Sequence, residues 1–275
     1  MSRLAVLQMT SGIDPATNAA TLVTALEAAA AGGAQMLFTP EMSVLIDRDR
    51  ARGSANVLPE DGNPVLAALQ DAAARCGMWL ALGSMAVARE DGRWANRSLV
   101  IDAAGRIAAR YDKIHMFDVD LASGESWRES KAYAPGEQVV TVQTPLGRLG
   151  LTVCYDLRFP ALFEALGQAE VDLIAIPAAF TVPTGQAHWH VMQRARAIEA
   201  TAYVVCAAQV GRHADGRETY GHSLVIDPWG DVLLDAGGAA AGLHFAEIDT
   251  ARIAAVRAQL PCLANKQPIA GSASA

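Results

Sequence analysis

The chain has 275 residues, of which 52% are hydrophobic and 19% charged, and its formal net charge at pH 7 is −7. This composition excludes global disorder and allows one sizeable core, either as one large α/β domain or as two small ones. The acidic balance and the lack of a long basic run exclude nucleic acid as an expected partner. No apolar run reaches the roughly 18 residues of a membrane-spanning helix, and no signal peptide is recognisable, so we expect a cytoplasmic protein without a membrane partner.

The cysteines give no sign of a disulfide framework. Cys76, Cys154, Cys206 and Cys262 are far apart, and no two of them form a Cys-x-x-Cys pair. A cytosolic chain keeps its thiols reduced, so neither disulfides nor a structural zinc site is expected. Each cysteine is therefore judged singly.

The first part of the chain predicts a β-α-β-α-β opening. Asp14-Pro15 is an N-cap followed by proline, and the Ala-rich stretch after it ends at the stop signal Gly32-Gly33, which predicts a helix between them. A second helix is predicted over Pro64–Cys76. The predicted strands are Arg3–Met9, Met36–Thr39 and Trp79–Leu82.

The rest of the chain alternates paired strands with helices. Predicted hairpin strands are Ser98–Asp102 with Arg106–Tyr111 and Val139–Gln143 with Arg148–Val153, followed by a strand at Asp172–Ile176, a helix at Ala187–Ala200, a strand at Tyr203–Ala208 and terminal hairpins formed by His222–Asp227, Val232–Asp235 and Leu243–Ile248. Strand pairs that alternate with helices indicate sheets covered by helices, and no linker divides the chain. We predict one layered α/β domain over residues 1–268, with a mobile Ala/Gly/Ser-rich tail over residues 269–275.

Several common catalytic motifs are missing from the sequence, which has no G-x-S-x-G, no G-x-G-x-x-G after the first strand, no Walker loop and no H-E-x-x-H. His188-Trp189-His190 is the nearest approach to a metal motif. On a helix, residues two apart point to different sides and cannot share one ion. We therefore expect neither a metal nor a cofactor.

Three reactive side chains follow apolar strands. Glu41, Lys113 and Cys154 each stand where a strand opens into a loop, and in α/β folds ligands meet reactive side chains at that edge of a sheet. Taken alone, Glu41 fits a solvated loop carboxylate equally well, and Cys154 fits a buried structural thiol. The three residues together are more informative.

Lys113 is unusual because the chain has only three lysines among its 22 basic residues. Lysine offers a compact point charge whose protonation can be tuned, and arginine does not. With a carboxylate to take the thiol proton and an ammonium to meet a developing oxyanion, Cys154 can act as a nucleophile without histidine.

Four segments, in this order, resemble the signatures of the nitrilase superfamily of carbon–nitrogen hydrolases: Pro40-Glu41, Lys113-x-His-x-Phe-Asp, Arg128-Glu129-Ser130 and Cys154-Tyr-Asp-x-Arg-Phe-Pro. The resemblance implies a four-layer α-β-β-α sandwich that assembles as a homodimer or a higher homo-oligomer through its helical layer. It also implies a catalytic triad of Glu41, Lys113 and Cys154, with Glu129 as a second glutamate that supports the lysine.

The downstream half resembles the amidase branch of that superfamily, on the segments Gln209–His213 and Tyr220–His222 and on the His-Trp pair near residue 188. His190 departs from the pattern, which leads us to expect glutamate there. The implied reaction is hydrolysis of a small linear amide bearing a carboxylate, through a Cys thioester. Deaminated glutathione is the first candidate substrate, and α-ketoglutaramate or succinamate, the substrates of an ω-amidase, are the alternative. A non-catalytic scaffold protein of the same fold is an alternative of another class.

Two residues next to the nucleophile are candidates for substrate binding. The backbone N–H of Tyr155 is expected to help hold the oxyanion, and Arg158 suits a substrate carboxylate, although it fits a structural ion pair as well. Other candidate anion contacts are Arg212, His213 and Arg217, which fit an ordinary solvated loop slightly better. For His188, Trp189 and His222 packing explains their presence as well as any catalytic role does.

Overall fold

The computed structural model describes residues 1–120, 124 and 126–268, so the predicted tail over 269–275 lies outside the described residues. The helices are α1 (Pro15–Ala31), α2 (Arg50–Ser54), α3 (Pro64–Cys76), α4 (Pro160–Gln168), α5 (Val182–Ala200) and α6 (Thr250–Gln259). The strands are β1 (Ser2–Gln8), β2 (Met36–Phe38), β3 (Trp79–Ala88), β4 (Trp94–Ile101), β5 (Ile107–Asp112), β6 (Asp118–Asp120), β7 (Ser126–Arg128), β8 (Thr141–Thr144), β9 (Gly147–Leu151), β10 (Leu173–Ala175), β11 (Tyr203–Cys206), β12 (Val210–Arg212), β13 (Glu218–Tyr220), β14 (Leu224–Ile226), β15 (Val232–Asp235) and β16 (Gly242–Ile248). None of the described helices is long and apolar enough to cross a bilayer.

Two six-stranded sheets form the centre of the molecule. The first has the order β16-β1-β2-β3-β4-β5, and the second has the order β15-β14-β11-β10-β9-β8. In each sheet three parallel strands lie in the middle, and antiparallel strands flank them. Two small hairpins, β6-β7 and β12-β13, complete the strand pairing of the described residues.

The side chains of β1 show how the first sheet is covered on both faces. Leu4 and Val6 belong to the core that the two sheets share, whereas Ala5 and Leu7 belong to the core beneath α1 and α3. Successive residues of a strand point to opposite faces, so a strand buried on both faces is apolar at every position. The first sheet therefore lies between a helical layer and the second sheet.

The second sheet repeats this arrangement on its outer face. Phe163 of α4 and Trp189 and Ala197 of α5 are buried in the same core as Leu149 of β9 and Val204 of β11. The order of layers is helices, sheet, sheet and helices. The predicted four-layer α-β-β-α sandwich is confirmed.

Helices α1 and α3 begin and end where the capping residues in the sequence predicted. The Asp14 carboxylate accepts hydrogen bonds from the N–H groups of Ala16 and Thr17, and α1 ends at Gly32, as predicted. The predicted helix over Pro64–Cys76 is confirmed, and it ends at Gly77 in the left-handed conformation (φ 59°).

Two predictions about the later elements were wrong. The last strand, expected to form a hairpin with the strands before it, instead pairs with β1, with Ser2 opposite Ile248. Helix α5 begins at Val182 rather than at Ala187, because Pro183 stands in its first turn, where proline needs no hydrogen-bonded N–H. Helices α2, α4 and α6 and the hairpins β6-β7 and β12-β13 were not predicted.

Candidate active site

Strands of both sheets bring the predicted catalytic residues to one place. Glu41 follows β2 and Lys113 follows β5 of the first sheet, while Cys154 follows β9 of the second sheet. Glu129 begins a short 3₁₀ turn directly after β7. All four side chains line a single cavity of about 440 Å³.

Lys113 is buried between two carboxylates, with 2% of its surface exposed. Its Nζ atom donates to Oε1 of Glu41 at 3.0 Å and to Oε2 and Oε1 of Glu129 at 2.9 and 3.1 Å. Burial alone would lower the pKa of Lys113, but the charges of Glu129 and Glu41 outweigh it and hold the pKa well above its ordinary value. The ammonium therefore stays protonated at neutral pH.

The Asn96 amide joins the two carboxylates, and sequence analysis did not identify it. Its Nδ2 atom donates to Oε1 of Glu41 at 3.0 Å and to Oε1 of Glu129 at 3.1 Å. Asn96 is buried within β4, where asparagine is an unfavourable residue for a strand. The predicted strand began only at Ser98, so nothing in the sequence marked Asn96.

Glu129 and Glu41 are each fixed by a backbone donor as well. The N–H of Phe117 donates to Oε2 of Glu129 at 2.7 Å, and the N–H of Ala179 donates to Oε2 of Glu41 at 3.0 Å. A carboxylate that accepts several hydrogen bonds is held in one orientation. Glu41 is thereby prepared to accept a proton at a fixed position.

Cys154 lies at a strained turn between β9 and a 3₁₀ turn over Cys154–Arg158. Its φ angle is +48°, in the left-handed region, which costs a residue other than glycine about 1–3 kcal/mol. Its N–H donates to the carbonyl of Pro177 at 2.9 Å, which ties the turn to the end of β10. The surrounding structure thus enforces a conformation that aims the thiol into the cavity.

The thiol of Cys154 is buried, with 8% of the residue exposed. Burial raises the pKa of this thiol, the Glu41 carboxylate raises it further, and the Lys113 ammonium offsets only part of the effect. The resting thiol is therefore protonated, so nucleophilic attack needs a base to take its proton.

Asp156 anchors the turn that carries Cys154. Its Oδ2 atom accepts from the Tyr111 hydroxyl at 2.6 Å and from the N–H of Val153 at 2.9 Å. Its Oδ1 atom lies 3.0 Å from the N–H and 2.7 Å from Nδ1 of His115. Burial, followed by the charge of Asp156, raises the pKa of Tyr111, so its hydroxyl remains a donor. These bonds tie residues on both sides of Lys113 to the turn that carries Cys154.

Two glycines allow the catalytic segments to approach their neighbours closely. A Cβ atom on Gly136 would lie 2.1 Å from the carbonyl oxygen of Asp112, just before Lys113. A Cβ atom on Gly83 would lie 2.0 Å from the carbonyl oxygen of Thr39 and 2.3 Å from that of Pro40, just before Glu41. Gly136 follows Pro135 in the segment after Glu129, whereas Gly83 stands in a β-bulge of β3 that the sequence did not reveal.

Arg158 points toward the cavity without a carboxylate partner among the described residues. Its guanidinium lies over the Phe180 ring at 5.3 Å and over the Tyr155 ring at 5.9 Å. Its Nη1 atom is 3.3 Å from Nδ1 of His188, which is an exposed residue. The ion-pair interpretation of Arg158 is therefore not what the structure shows, and its charge is available to a ligand.

The three candidate anion contacts farther along the chain have different surroundings in the structure. Arg217 lines the cavity and stacks over the Trp127 ring at 4.9 Å, but its Nε atom is paired with Asp215 at 2.8 Å. His213 is buried, with its ring nitrogens 2.8 Å from the Ser11 carbonyl and 2.8 Å from the Thr219 hydroxyl.

His213 is therefore a structural residue and not an anion contact. Burial lowers its pKa, which favours the neutral ring. Arg212 is exposed and does not line the cavity.

The structure gives Trp189 and His222 packing contacts and no place in the cavity. Trp189 is fully buried, and its Nε1 atom donates to the carbonyl of His222 at 2.7 Å. The imidazole of His222 contacts Asp235 and does not line the cavity.

Comparison with known proteins places this chain in a family. A family model described as carbon-nitrogen hydrolase matches residues 3–258. The chain is 39% identical to a deaminated glutathione amidase of Yersinia enterocolitica, over 97% of this chain and 93% of that protein. It is 38% identical to a deaminated glutathione amidase of Homo sapiens, over 96% of this chain and 82% of that protein.

Solved structures agree with this assignment. The NitFhit protein of C. elegans is similar with a TM-score of 0.88 and 34% identity, and the match covers 97% of this chain and 65% of that longer chain. Nit3 of Saccharomyces cerevisiae, described as a member of branch 10 of the nitrilase superfamily, is similar with a TM-score of 0.85 and 26% identity, over 94% of each chain. The E41Q mutant of the amidase of Nesterenkonia sp. AN1, in which acrylamide has added to the active-site cysteine, has a TM-score of 0.79 and 25% identity, over 95% of this chain and 98% of that one.

The chain belongs to the carbon–nitrogen hydrolase family and has the nitrilase-superfamily fold. It is a hydrolase that acts on the carbon–nitrogen bonds of linear amides. The resemblance seen in the sequence is confirmed.

Proposed function

We propose that the protein hydrolyses the amide bond of deaminated glutathione and that Cys154 carries the acyl group as a thioester. The observation that supports this most strongly is the buried contact of Lys113 with Glu41 and Glu129 in the cavity that Cys154 also lines. The relatives named deaminated glutathione amidase support the substrate.

In the first half-reaction the sulfur of Cys154 attacks the amide carbonyl carbon while Glu41 takes the thiol proton. A base is needed because the pKa of the thiol is raised in the resting enzyme. The carbonyl oxygen becomes an oxyanion that accepts hydrogen bonds from Lys113 Nζ and the N–H of Tyr155. Such a donor is worth about 2.7–4 kcal/mol in comparable sites.

The tetrahedral intermediate then loses its amine. The carbon–nitrogen bond breaks, Glu41 returns the proton to the leaving nitrogen, and the acyl group remains on Cys154 as a thioester. In the second half-reaction Glu41 takes a proton from water as the water oxygen bonds to the thioester carbon. The carbon–sulfur bond breaks, and the proton returns to Cys154, which regenerates the thiol. Glu129 keeps Lys113 protonated and in place throughout.

The charge of the cavity favours an anionic substrate. Seven basic side chains line it against four acidic ones, in a protein whose net charge is −7: Arg48, Arg50, Lys113, Arg128, Lys131, Arg158 and Arg217 against Glu41, Asp47, Glu129 and Glu218. Glu41 and Glu129 contact Lys113, and Asp47 pairs with Arg52. Arg128 and Arg217 are paired with Asp120 and Asp215. Among the described residues, the lining cations without a carboxylate partner are therefore Arg48, Arg50, Lys131 and Arg158. We assign the substrate carboxylate to Arg158, which has no carboxylate partner among the described residues.

The choice between the two amides depends on the leaving group. Deaminated glutathione and α-ketoglutaramate share a 2-oxo acid end, but only the first releases Cys-Gly. The wall formed by Trp127, with Arg217 and Arg48 stacked on its ring at 4.9 and 5.6 Å, offers apolar and cationic contacts to that larger group. A small primary amide would leave this wall unused, which lowers transition-state binding.

The decisive assay compares kcat/KM for deaminated glutathione and α-ketoglutaramate with the purified protein, with nitriles as a third class. We expect a clear preference for deaminated glutathione and no turnover of nitriles. A preference for α-ketoglutaramate would indicate an ω-amidase, and hydrolysis of neither would leave only the family assignment.

The thioester step has its own test. Cys154→Ser should abolish turnover and leave the protein folded, because the serine hydroxyl has a far higher pKa than the thiol and the base is matched to sulfur. Mass spectrometry of the parent protein mixed with substrate should show an acyl adduct on Cys154. Cys206→Ser is the matched control, since Cys206 is buried away from the cavity, and it should retain turnover. Substantial turnover by Cys154→Ser, or loss of turnover in Cys206→Ser instead, would contradict the assignment.

A non-catalytic scaffold of this fold is less well supported. Glu41, Asn96 and Lys113 are buried polar residues joined in one network, and burial of such groups is costly when they have no use. Iodoacetamide gives an independent check, because an enzyme needs Cys154 to react ahead of Cys206.

We further propose a cytoplasmic homodimer. The four thiols are free, as in a reducing compartment. An exposed apolar face at α5 and the β14-β15 turn suits a second copy of the chain, and its large exposed residues are Val191, Ile198, Trp229, Val232 and Leu233.

A further inference from the structure

We propose that His190, His222 and Asp235 form a binding site for a divalent transition-metal ion, with zinc as the first choice. None of these residues lines the catalytic cavity, so the proposal does not depend on the proposed function. The sequence led us to expect no metal, because only His188 and His190 were weighed as a pair. The structure brings His190 together with ligands from two other segments.

Three elements supply the ligand atoms. His190 lies on α5, His222 lies just before β14, and Asp235 ends β15. Oδ2 of Asp235 is 3.0 Å from Nε2 of His190 and 3.2 Å from Nδ1 of His222. One ligand atom from each residue can be chosen so that all three lie within 4.8 Å of one another.

These distances suit a metal ion with an open coordination shell. Zinc–ligand bonds of about 2.0–2.1 Å in a tetrahedron place neighbouring ligand atoms about 3.3 Å apart, close to the two carboxylate–imidazole separations. The side chains of His190, His222 and Asp235 are 38%, 25% and 35% exposed, so they can rotate slightly inward and leave room for water ligands. Two imidazoles and one carboxylate are ligands that zinc and its neighbours prefer to magnesium or calcium.

Contacts beyond the three ligands hold two of them in position. The ring of His222 stacks on Tyr220 with the centroids 4.5 Å apart, and its carbonyl accepts the Trp189 indole N–H. Oδ1 of Asp235 accepts from the N–H of Gly237 at 2.8 Å. Such outer contacts orient ligands in established metal sites and raise the affinity for the ion.

The charge balance also leaves a place for a cation. In the part of the chain that the structure describes, the ion-pair partners of Asp235 are the two imidazoles and no lysine or arginine. A neutral imidazole can donate one hydrogen bond to the carboxylate, but it presents a lone pair on the same nitrogen when it binds a metal. The competing interpretation is a hydrogen-bonded His–Asp–His group without an ion.

The test is calorimetric titration of the full chain with zinc, in the Cys154→Ser background so that the catalytic thiol cannot bind the ion. We expect one zinc per protomer. His190→Ala and Asp235→Asn should each weaken binding by at least about 100-fold, the upper end of the effect of losing an outer-shell partner.

His188→Ala is the matched control, because His188 lies two residues away on the same helix and faces Arg158. It should retain the zinc affinity. Cobalt absorption bands in the visible region should appear with the Cys154→Ser protein and disappear with the added Asp235→Asn change, and thermal melting checks that the variants are folded. Absence of zinc binding, or equal binding by the His190→Ala and His188→Ala proteins, would overturn the proposal.

Discussion

The Lys113 ammonium owes its position to Glu129 and Glu41, and this arrangement makes the shape of the side chain matter as much as its charge. Its nitrogen contacts three carboxylate oxygens within 3.1 Å while almost fully buried. A guanidinium is planar and larger, and it spreads its donors over a fork. It cannot fill this place without displacing the carboxylates or the substrate oxygen.

Lys113→Arg should therefore fail nearly as badly as Lys113→Met. We expect kcat to fall by about 10²–10³-fold in both, the range seen when an oxyanion donor is removed. Steady-state kinetics provide the measurement, and Lys266→Arg, on an exposed lysine far along the chain, is the control. Near-normal kcat in Lys113→Arg would show that charge alone suffices.

Asn96 offers a test of the hydrogen bonds between the two glutamates. Asn96→Asp keeps the size of the side chain but replaces the donor to Glu41 and Glu129 with a third negative charge. Loss of a hydrogen bond to a charged group costs about 1.5–3 kcal/mol, so the variant should melt at a lower temperature and turn over more slowly. Thermal unfolding and kcat measure the two effects.

The exposed Asn56 supplies the matched change. Asn56→Asp should leave both the melting temperature and kcat unaltered. Equal behaviour of the two variants would contradict the role given to Asn96.

Individual residues differed in how far the sequence could identify them. Glu41, Lys113 and Cys154 were recognisable because each directly follows a strand and is flanked by a motif. Asn96 was not, because its role depends on two carboxylates that lie far away in the sequence and meet only in the folded chain. His213 was misjudged for the same reason, since its partners Ser11 and Thr219 gave no sign in the local sequence.

At the scale of elements, the bulge in β3 positions Glu41. The pairing of β3 with β4 shifts between Leu82 and Met85, and Gly83 lies within the shift. Its N–H donates to the hydroxyl of Thr39 at 3.0 Å, and its lack of a side chain lets the segment before Glu41 pass close by.

Gly83→Ala should therefore disturb catalysis from outside the cavity. The added methyl group would push against two backbone carbonyl oxygens that cannot move independently of Glu41. We expect a marked loss of kcat together with a lower melting temperature. Gly12→Ala is the comparison, because its Cβ would meet only a side-chain oxygen at 3.8 Å, and it should be nearly silent. Unchanged kinetics in Gly83→Ala would show that the bulge does not control Glu41.

Elements specified by local signals were predictable, and those specified by distant partners were not. Helices α1 and α3 carry their own caps in Asp14 and Asn63, so their bounds followed from the sequence. The alternation of β16 predicted a strand but not its partner, because both a neighbouring strand and β1 could accept its hydrogen bonds. Only the packing of the whole sheet decides between them.

At the scale of the whole molecule, the exposed face at α5 and the β14-β15 turn is apolar and is the surface that we propose as the dimer interface. Leu233 is 47% exposed there, and the Gly230 turn lies against Ile198. Apolar area of this kind gains about 25 cal/mol per Å² when it is removed from water.

Leu233→Glu should shift the protein from dimer to monomer, because a charge at the centre of an apolar interface remains without a partner. Sedimentation velocity measures the mass of the particle. Leu58→Glu, at a 40% exposed leucine next to the first sheet, should leave the dimer intact. A monomeric parent protein, or the same mass for both variants, would contradict the proposed assembly.

The pairing of β1 with β16 also has a consequence for synthesis. During translation β1 leaves the ribosome before the other described strands, and its antiparallel partner β16 is the last of them to follow. Until then the nascent chain has an unpaired apolar strand edge, a common starting point for aggregation. The first sheet therefore closes only after the chain has passed Ile248, and this edge of β1 stays unpaired for most of translation.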